Sequence, residues 1–198
     1  MAINFQYNKT YLQQLTRELK VRENALPTLV AKESALRLEV KKAKEQALEL
    51  ESRINEERAA LAPADRLWVE MPGGLVTVEH VDVAVKKIAG VKTPVLEKAT
   101  FNVARYSLAD EAAWIPEGVE ALKRLAELKI SLELARKKVA ILEYARKKTT
   151  QKVNLYEKVQ IPEYKEALRK IKRFMEDEDN LAKSSQKILK VKIAAEAA

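Results

Sequence analysis

The sequence has 198 residues, of which 47% are hydrophobic and 33% charged, and its formal net charge at pH 7 is +8. The apolar content excludes a chain that is disordered for lack of hydrophobic side chains, and the absence of cysteine excludes disulfides, thiolate metal sites and cysteine nucleophiles. The only glycines are Gly73, Gly74, Gly90 and Gly118. The stretches on either side therefore lack the residue that most often ends a helix, which favours two long helical arms.

The first arm is predicted to cover residues 1–62. Thr10 and Gln13 form a T-x-x-Q capping box, which predicts that a helix starts here. Beyond this point apolar side chains recur at alternating steps of three and four, the spacing of a heptad seam, and only Arg22 and Glu33 interrupt it. Such a stripe needs a partner helix to cover it. The predicted seam residues of this arm are Leu12, Leu15, Leu19, Leu26, Leu29, Leu36, Val40, Leu50 and Ile54.

Residues 63–117 are predicted to form a central head that contains a β-hairpin. A Pro-Gly-Gly turn precedes the run LVTVEHVDVAVKKI, which is rich in β-branched residues, and a turn at Gly90 leads to VLEKATFNVARY. We expect a hairpin over residues 75–106. A bulge is expected between Val78 and Val81, because the alternation of valines changes phase there.

The second arm is predicted to cover residues 118–198 and to pair with the first. Ser107 to Asp110 suit the cap of a short helical turn that contains Trp114, and Pro116 suits the opening turn of the long helix. Its seam resumes the heptad spacing and is interrupted at Arg146. The predicted seam residues are Leu125, Leu128, Leu132, Val139, Leu142, Val153, Tyr156, Ile161, Leu168 and Ile171.

Two prolines are predicted to disturb the helices. Pro27 lies inside the first arm, where it removes one backbone hydrogen bond, so we expect a local bend in a helix that continues. Near Pro162 the seam of the second arm is displaced by about one residue. This slip should adjust the supercoil locally or bend the helix.

The net positive charge lies within residues 118–198, which carry 20 basic and 12 acidic side chains. It is concentrated in two triplets that could face phosphates, an acidic protein surface or only water. Nucleic-acid binding is disfavoured, because the arm lacks interleaved aromatic residues and any helix-turn-helix or basic-zipper pattern. The triplets consist of Arg136, Lys137, Lys138, Arg146, Lys147 and Lys148.

The sequence predicts no catalytic, cofactor or metal site. His80 is the only histidine, so neither a His-His metal site nor a Ser-His-Asp arrangement can form within one chain, and no phosphate-binding glycine loop is present. The acidic run at 176–179 would point around a helix rather than converge on one ion. With no signal sequence at the start and no run of about 18 apolar residues, any contact with a membrane is expected to be indirect.

Two motifs resemble a known family. The segment KVNLYEKVQIP at 152–162 resembles the K-V-N-A-L-E-x-V-x-I-P signature of the D-subunit family of V/A-type ATPases, although Leu155 and Tyr156 stand where Ala and Leu are usual. The segment IAGVKTP at 88–94 is similar to the I-x-G-V-x-x-P hairpin element of that family. The matching residues are Gly90, Val91, Pro94, Lys152, Val153, Asn154, Ile161 and Pro162.

The resemblance implies a non-catalytic central rotor stalk. Its two chain ends would form an antiparallel coiled coil inserted into a hexamer of catalytic A subunits and regulatory B subunits. The middle segment would bind the small F subunit of the rotor and connect, through the C subunit, to a membrane ring that conducts protons or sodium ions. The protein would then be cytoplasmic and peripheral to the inner face of the membrane. Within this family, the two basic triplets are possible contacts to acidic loops of the hexamer.

The expected fold is therefore mainly α, a long antiparallel two-helix coiled coil with a small central β-hairpin and a short helical segment. Two alternatives remain open, a structural coiled-coil spacer and a prefoldin-like chaperone, which also joins two helices through β-hairpin segments. The second arm, at about 110 Å if fully helical, is longer than expected of a prefoldin-type chain.

Overall fold

A computed structural model describes residues 6–64, 66–105 and 112–196. Its elements are helix α1 (Lys9–Leu61), strands β1 (Val76–Ile88) and β2 (Val91–Val103), helix α2 (Ile115–Leu155), a π-helical turn (Tyr156–Gln160) and helix α3 (Ile161–Glu196). Two short 3-10 turns, Ala62–Ala64 and Leu67–Glu70, follow α1. The prediction of a mainly α fold with a β-hairpin between long helices is confirmed.

The chain divides into two compact units. The terminal unit comprises residues 6–31 and 149–196, and the central unit comprises residues 32–148. In the terminal unit α1 packs antiparallel against α3. Tyr7, just before α1, contacts the ring of Phe174, whereas Glu23, further along α1, pairs with Lys165, earlier on α3. Leu15 lies at the centre of this contact and is 2% exposed. It packs in a cluster with Tyr164, Ala167, Leu168 and Ile171.

Helix α1 begins two residues earlier than the capping box predicted, because Asn8 is its N-cap. The Asn8 Oδ1 accepts a hydrogen bond from the backbone N–H of Tyr11 at 2.6 Å, and the helix starts at Lys9. Thr10 therefore lies inside the first turn, and its prediction as the cap is wrong. Asparagine is at least as good an N-cap residue as threonine, since its short side chain reaches the same orphaned amide.

Helix α1 runs through Pro27 without interruption, as predicted. Proline cannot donate the hydrogen bond that an N–H at this position would make to the preceding turn. Beside it, the Thr28 hydroxyl donates to the carbonyl oxygen of Ala25 at 2.7 Å. The degree of bending at Pro27 stays a prediction.

In the central unit α1 packs against α2. The shared core contains Leu36, Val40, Ala43 and Leu142, of which Leu36 and Leu142 are 0% exposed. An ion pair between Lys44 and Glu143, at 2.6 Å, lies beside this core. The two helices are thus joined by an apolar seam with charged side chains at its margin.

The β-hairpin pairs β1 with β2 in antiparallel register. The predicted bulge is confirmed, because the register shifts between Val78 and His80 and skips Glu79. A second irregularity, which the sequence did not predict, skips Glu97 on β2. The strands end sooner than the predicted 75–106.

The turn of the hairpin consists of Ala89 and Gly90, both with positive φ, at 49° and 80°. Positive φ at both central residues is the geometry of a two-residue turn that matches the right-handed twist of the strands. Ile88, Ala89 and Val91 pack against the Leu36 core cluster. The tip of the hairpin is therefore held against the helices of the central unit.

The base of the hairpin has its own core, formed by Leu75, Ile115 and Val119 with Met71 and Trp114 packed around it. Helix α2 begins at Ile115, so the prediction that Pro116 lies in its opening turn is confirmed. Trp114 lies in the turn that directly precedes the helix. The predicted cap at Ser107 to Asp110 lies outside the described residues.

The π-helical turn explains the slip of the seam near Pro162. The N–H of Ile161 donates to the carbonyl oxygen of Tyr156, five residues earlier, so one extra residue is accommodated between the two seam positions. Pro162 favours the wider turn, because its ring clashes with the carbonyl four residues earlier in a regular α-helix. The predicted one-residue displacement is thus a local π-helix, which we call the π-turn.

Candidate functional site

The predicted seam residues of the terminal unit are all buried or half-buried. Leu15, Leu168 and Ile171 are buried, and the others keep part of their surface exposed. Tyr156 and Ile161, at the two ends of the π-turn, are both half-buried, so the extra residue keeps the apolar face on one side. The half-buried positions are Leu12, Leu19, Leu26, Leu29, Val153, Tyr156 and Ile161.

The seam residues of the central unit follow the same pattern. Leu36, Val40, Ile54 and Leu142 are buried. The remaining predicted seam residues of this unit are half-buried, and they are Leu50, Leu125, Leu128, Leu132 and Val139. The apolar stripes thus stabilise the helix pairs, and contacts to other proteins must use the remaining faces.

Arg22 interrupts the seam of the terminal unit with a polar network. Its Nε donates to Oε1 of Gln160, the last residue of the π-turn, at 2.9 Å, and its Nη1 donates to the carbonyl oxygen of Glu18 at 3.0 Å. The guanidinium carbon lies 4.3 Å from the centre of the Tyr164 ring. The Tyr164 hydroxyl in turn donates to Oε2 of Glu18 at 2.5 Å.

This network shifts the pKa values of two of its members. Burial and the hydrogen bond to Glu18 raise the pKa of Tyr164 from 10.0 to about 12. The hydrogen bond from Tyr164, followed by that from Gln14, lowers the pKa of Glu18 below its usual value of 4.5. At neutral pH the phenol of Tyr164 is therefore protonated and Glu18 is ionised. A hydrogen bond from a hydroxyl to a carboxylate is charge-assisted and stronger than one between neutral groups.

The first basic triplet is partly engaged within the chain. Arg136 forms an ion pair with Glu51, and Nζ of Lys138 donates to Oε1 of Gln46 at 3.0 Å, so two of its three residues contact α1. Lys137 is exposed. Binding of a partner protein to Arg136 or Lys138 would first break a contact within the chain, which costs free energy. Binding to Lys137 would break none of these contacts.

The second triplet lies further along α2. Arg146 is half-buried, whereas Lys147 and Lys148 are exposed. The Lys148 ammonium lies 5.6 Å from the centre of the Tyr144 ring, which is itself 65% exposed. Three cations and an aromatic ring thus occupy a short stretch of the surface of α2.

The family-signature residues lie at two turns. Gly90 lies in the hairpin turn, where it has positive φ, and Val91 begins β2 and packs on the Leu36 cluster. Pro94 pairs with Val85 in the sheet. Lys152, Val153 and Asn154 lie in the last turn of α2, which ends at Leu155, and Ile161 and Pro162 are the first residues of α3. The second signature therefore flanks the π-turn. Val153 and Ile161 are half-buried, whereas Lys152, Asn154 and Pro162 are exposed.

The C-terminal part of α3 carries apolar side chains on its surface. The exposed fractions lie between 58% and 67% for Leu181, Ile188, Leu189, Val191 and Ile193. From their apolar spacing alone, these residues cannot be distinguished from buried seam residues, because the spacing continues that of the seam. Helix α1 begins at Lys9, and the contact between Tyr7 and Phe174 lies near this end of it. The residues of α3 after Phe174 therefore have little of α1 to pack against, and comparing the lengths of the two arms could have shown this from the sequence.

Within the described ranges, no group of three or more His, Cys, Asp or Glu side chains is placed to hold a metal ion. None of the helices in the same ranges is both long and apolar enough to cross a bilayer.

The paired antiparallel helices with a β-hairpin between them are the fold that the sequence resemblance implies for the central-stalk subunits of rotary ATPases, and the signature residues lie at the hairpin tip and beside the π-turn. The family described as the ATP synthase D subunit matches residues 11–191. The chain belongs to this family.

Curated relatives carry the same name. The chain is 30% identical over 188 residues to the V-type ATP synthase D subunit of Borreliella burgdorferi, covering 92% of this chain and 91% of the relative. It is 27% identical over 198 residues to that of Chlamydia pneumoniae, with 98% and 95% covered. With the D subunit of Chlamydia felis it shares 30% identity over 176 residues, covering 86% and 85%. The chaperone and spacer hypotheses receive no support from these matches.

Proposed function

We propose that this stalk subunit transmits torque between a hexamer of A and B subunits and a membrane ring that conducts protons or sodium ions. An asymmetric shaft would present different contacts to successive catalytic interfaces, so its rotation would change their nucleotide affinities in turn. The shaft itself would carry no catalytic group, and it would lie peripheral to the membrane on the cytoplasmic side.

The observation that carries this proposal is the exposed apolar surface of the last turns of α3. Five large aliphatic side chains, each more than half exposed, are costly to leave in water and are typical of a surface that another protein covers. Along the same helix they alternate with Lys183, Lys187, Lys190 and Lys192. We infer that the interior of the hexamer covers this surface, with acidic groups facing the lysines.

The hairpin is the proposed contact to the F subunit and, through the C subunit, to the ring. Its outward-facing Val83 and Val85 are 42% and 65% exposed, whereas the tip packs inward on the central unit. Exposed valines on a two-stranded sheet suit a protein partner, because proteins in water normally cover such a surface.

Assembly with purified A and B subunits tests the first part. We expect one copy of the chain per hexamer by native mass spectrometry, and no ATPase activity from the purified chain alone. Replacing Ile188 and Leu189 by Ser should weaken assembly at least tenfold. The matched control is the double variant Val83→Ser, Val85→Ser, which removes two exposed apolar side chains from the hairpin of the central unit. Equal assembly of the two variants would contradict insertion of α3 into the hexamer.

A separate pull-down tests the hairpin. The double variant Val83→Ser, Val85→Ser should lose the F subunit while still binding the hexamer, since these side chains lie in the central unit and α3 is unaltered. Retention of the F subunit by this variant would refute the hairpin as its binding surface.

A further inference from the structure

A charged residue at a seam position is usually unfavourable, yet Arg22 is held there by contacts to Glu18, Gln160 and Tyr164. Its neighbours along the seam, Leu19 and Leu26, are half-buried leucines. The Arg22 side chain is 22% exposed, so it is largely withdrawn from water. Removing a guanidinium from water is unfavourable, and the cost is offset only when its donors form hydrogen bonds. A polar seam residue of this kind specifies the register of the two helices at some cost in stability.

The contacts of Arg22 converge on the π-turn. Gln160, which accepts from its Nε, is the last residue of the turn, and Tyr164, whose ring lies under the guanidinium, is in the first turn of α3. Gln160 is half-buried and Tyr164 is 8% exposed. A single side chain on α1 thus touches both the π-turn and the helix that follows it.

A π-turn is intrinsically less favourable than the same residues in an α-helix, so something must hold it. Pro162 contributes by excluding a regular turn, but it fixes no relation to α1. If the extra residue were released, each residue of α3 would rotate by about 100° about the helix axis, the angle that one residue spans. Gln160 and Tyr164 would then no longer face Arg22, and Leu168 and Ile171 would leave the core.

We propose that Arg22 is a register latch, a positioning residue that holds the π-turn closed against α1 and thereby fixes the face that α3 presents to α1. Glu18 supports the latch by fixing both the guanidinium and the Tyr164 hydroxyl. The raised pKa of Tyr164 agrees with this role, because the phenol remains a donor throughout the physiological range. The inference does not depend on which proteins the stalk binds.

Lysine cannot replace arginine in the latch. It lacks the planar group that stacks on the ring of Tyr164 while donating in two directions at once. Leucine, in contrast, would restore the apolar seam. A purely structural Arg22 would therefore be replaced by leucine without loss at the π-turn, and this difference makes the proposal testable.

The experiment is residue-resolved hydrogen exchange on the full chain together with thermal unfolding. For Arg22→Leu we expect an unchanged or higher Tm, but amide exchange about tenfold faster at residues 156–165 than in the unaltered chain. Arg22→Lys should also accelerate exchange there. The matched control is Arg17→Leu, which alters an exposed arginine of the same helix and should leave exchange at the π-turn unchanged.

Unaltered exchange at 156–165 in Arg22→Leu would overturn the proposal. If that variant fails to fold, Gln160→Ala is the second test, since it removes only the acceptor at the end of the π-turn. It should produce the same local acceleration with little change in Tm. Exchange in Gln160→Ala equal to that of the unaltered chain would refute the latch.

Discussion

A β-carbon on Gly118 would lie 2.7 Å from Cζ3 of Trp114, whose indole covers the first turn of α2. Alanine normally stabilises a helix relative to glycine by about 1 kcal/mol. Here the clash should outweigh that gain, because the added carbon would also lie 3.4 Å from Cε of Met71 and Trp68 packs against the Trp114 ring in a T-shaped contact. We predict that Gly118→Ala lowers the free energy of unfolding by about 1 to 3 kcal/mol, measured by urea denaturation.

The control for this prediction is Gly73→Ala, at a glycine with no atom within 4 Å of the added methyl group. Its stability should change by no more than about 0.5 kcal/mol. Stabilisation by Gly118→Ala would mean that the Trp114 ring does not occupy this position in solution.

The hydrogen bond between Tyr164 and Glu18 predicts a loss of stability at both ends of the pH range. The pKa of folded Tyr164, about 12, lies above its ordinary value of 10.0, so its stabilisation is complete below about pH 10 and is lost as the pH rises through 12. The pKa of Glu18 is lowered, so its contribution is complete above its usual 4.5 and is lost as the pH falls through the folded value.

Tyr164→Phe should therefore flatten the alkaline limb of a plot of Tm against pH between about 10 and 12. The matched control is Tyr144→Phe, which removes the hydroxyl of a tyrosine that is 65% exposed. An alkaline limb in Tyr164→Phe as steep as that of the control would contradict the hydrogen bond.

The core of the central unit predicts a large difference between two leucines of α1. Leu36 is 0% exposed and Leu48 is 64% exposed. Leu36→Ala should cost about 2 to 5 kcal/mol of unfolding free energy, because it leaves a cavity between α1 and α2. Leu48→Ala should change stability by no more than about 0.5 kcal/mol. Similar costs for the two substitutions would argue against the α1–α2 pairing.

Substitutions at Arg136 and Lys137, neighbours in the first basic triplet, should have different effects on the stability of the fold and on binding to the hexamer. Arg136→Glu breaks an intrachain ion pair with Glu51, which costs at most about 1 kcal/mol in an exposed pair, and it places two acidic groups together. Lys137→Glu should leave the fold unchanged but reduce affinity for the hexamer, most strongly at low salt. Binding measured at two salt concentrations checks this. Equal affinities for Lys137→Glu and the unaltered chain would exclude Lys137 as a contact.

Features that depend on local patterns could be predicted from the sequence. Heptad spacing was sufficient to find both arms and the displacement near Pro162, and the change of valine phase was sufficient to find the bulge at Glu79. The Arg22 network was not predicted, because Glu18 and Tyr164 lie far apart in sequence and no local pattern links them. For the same reason the packing of the hairpin tip against Leu36 required the structure. The N-cap was misassigned because two suitable capping residues, Asn and Thr, stand only two positions apart.

The extra residue in the π-turn also restricts which chimeras can be built by exchanging α3 between related proteins. A chimera that joins α3 to a helix lacking this residue would keep every apolar side chain, yet Leu168 and Ile171 would turn about 100° away from Leu15. Aligned by position alone, the two parents would look interchangeable. A chimera that folds must therefore take residues 156–160 and Arg22 from the same parent. These two segments lie far apart in the sequence but must be transferred together.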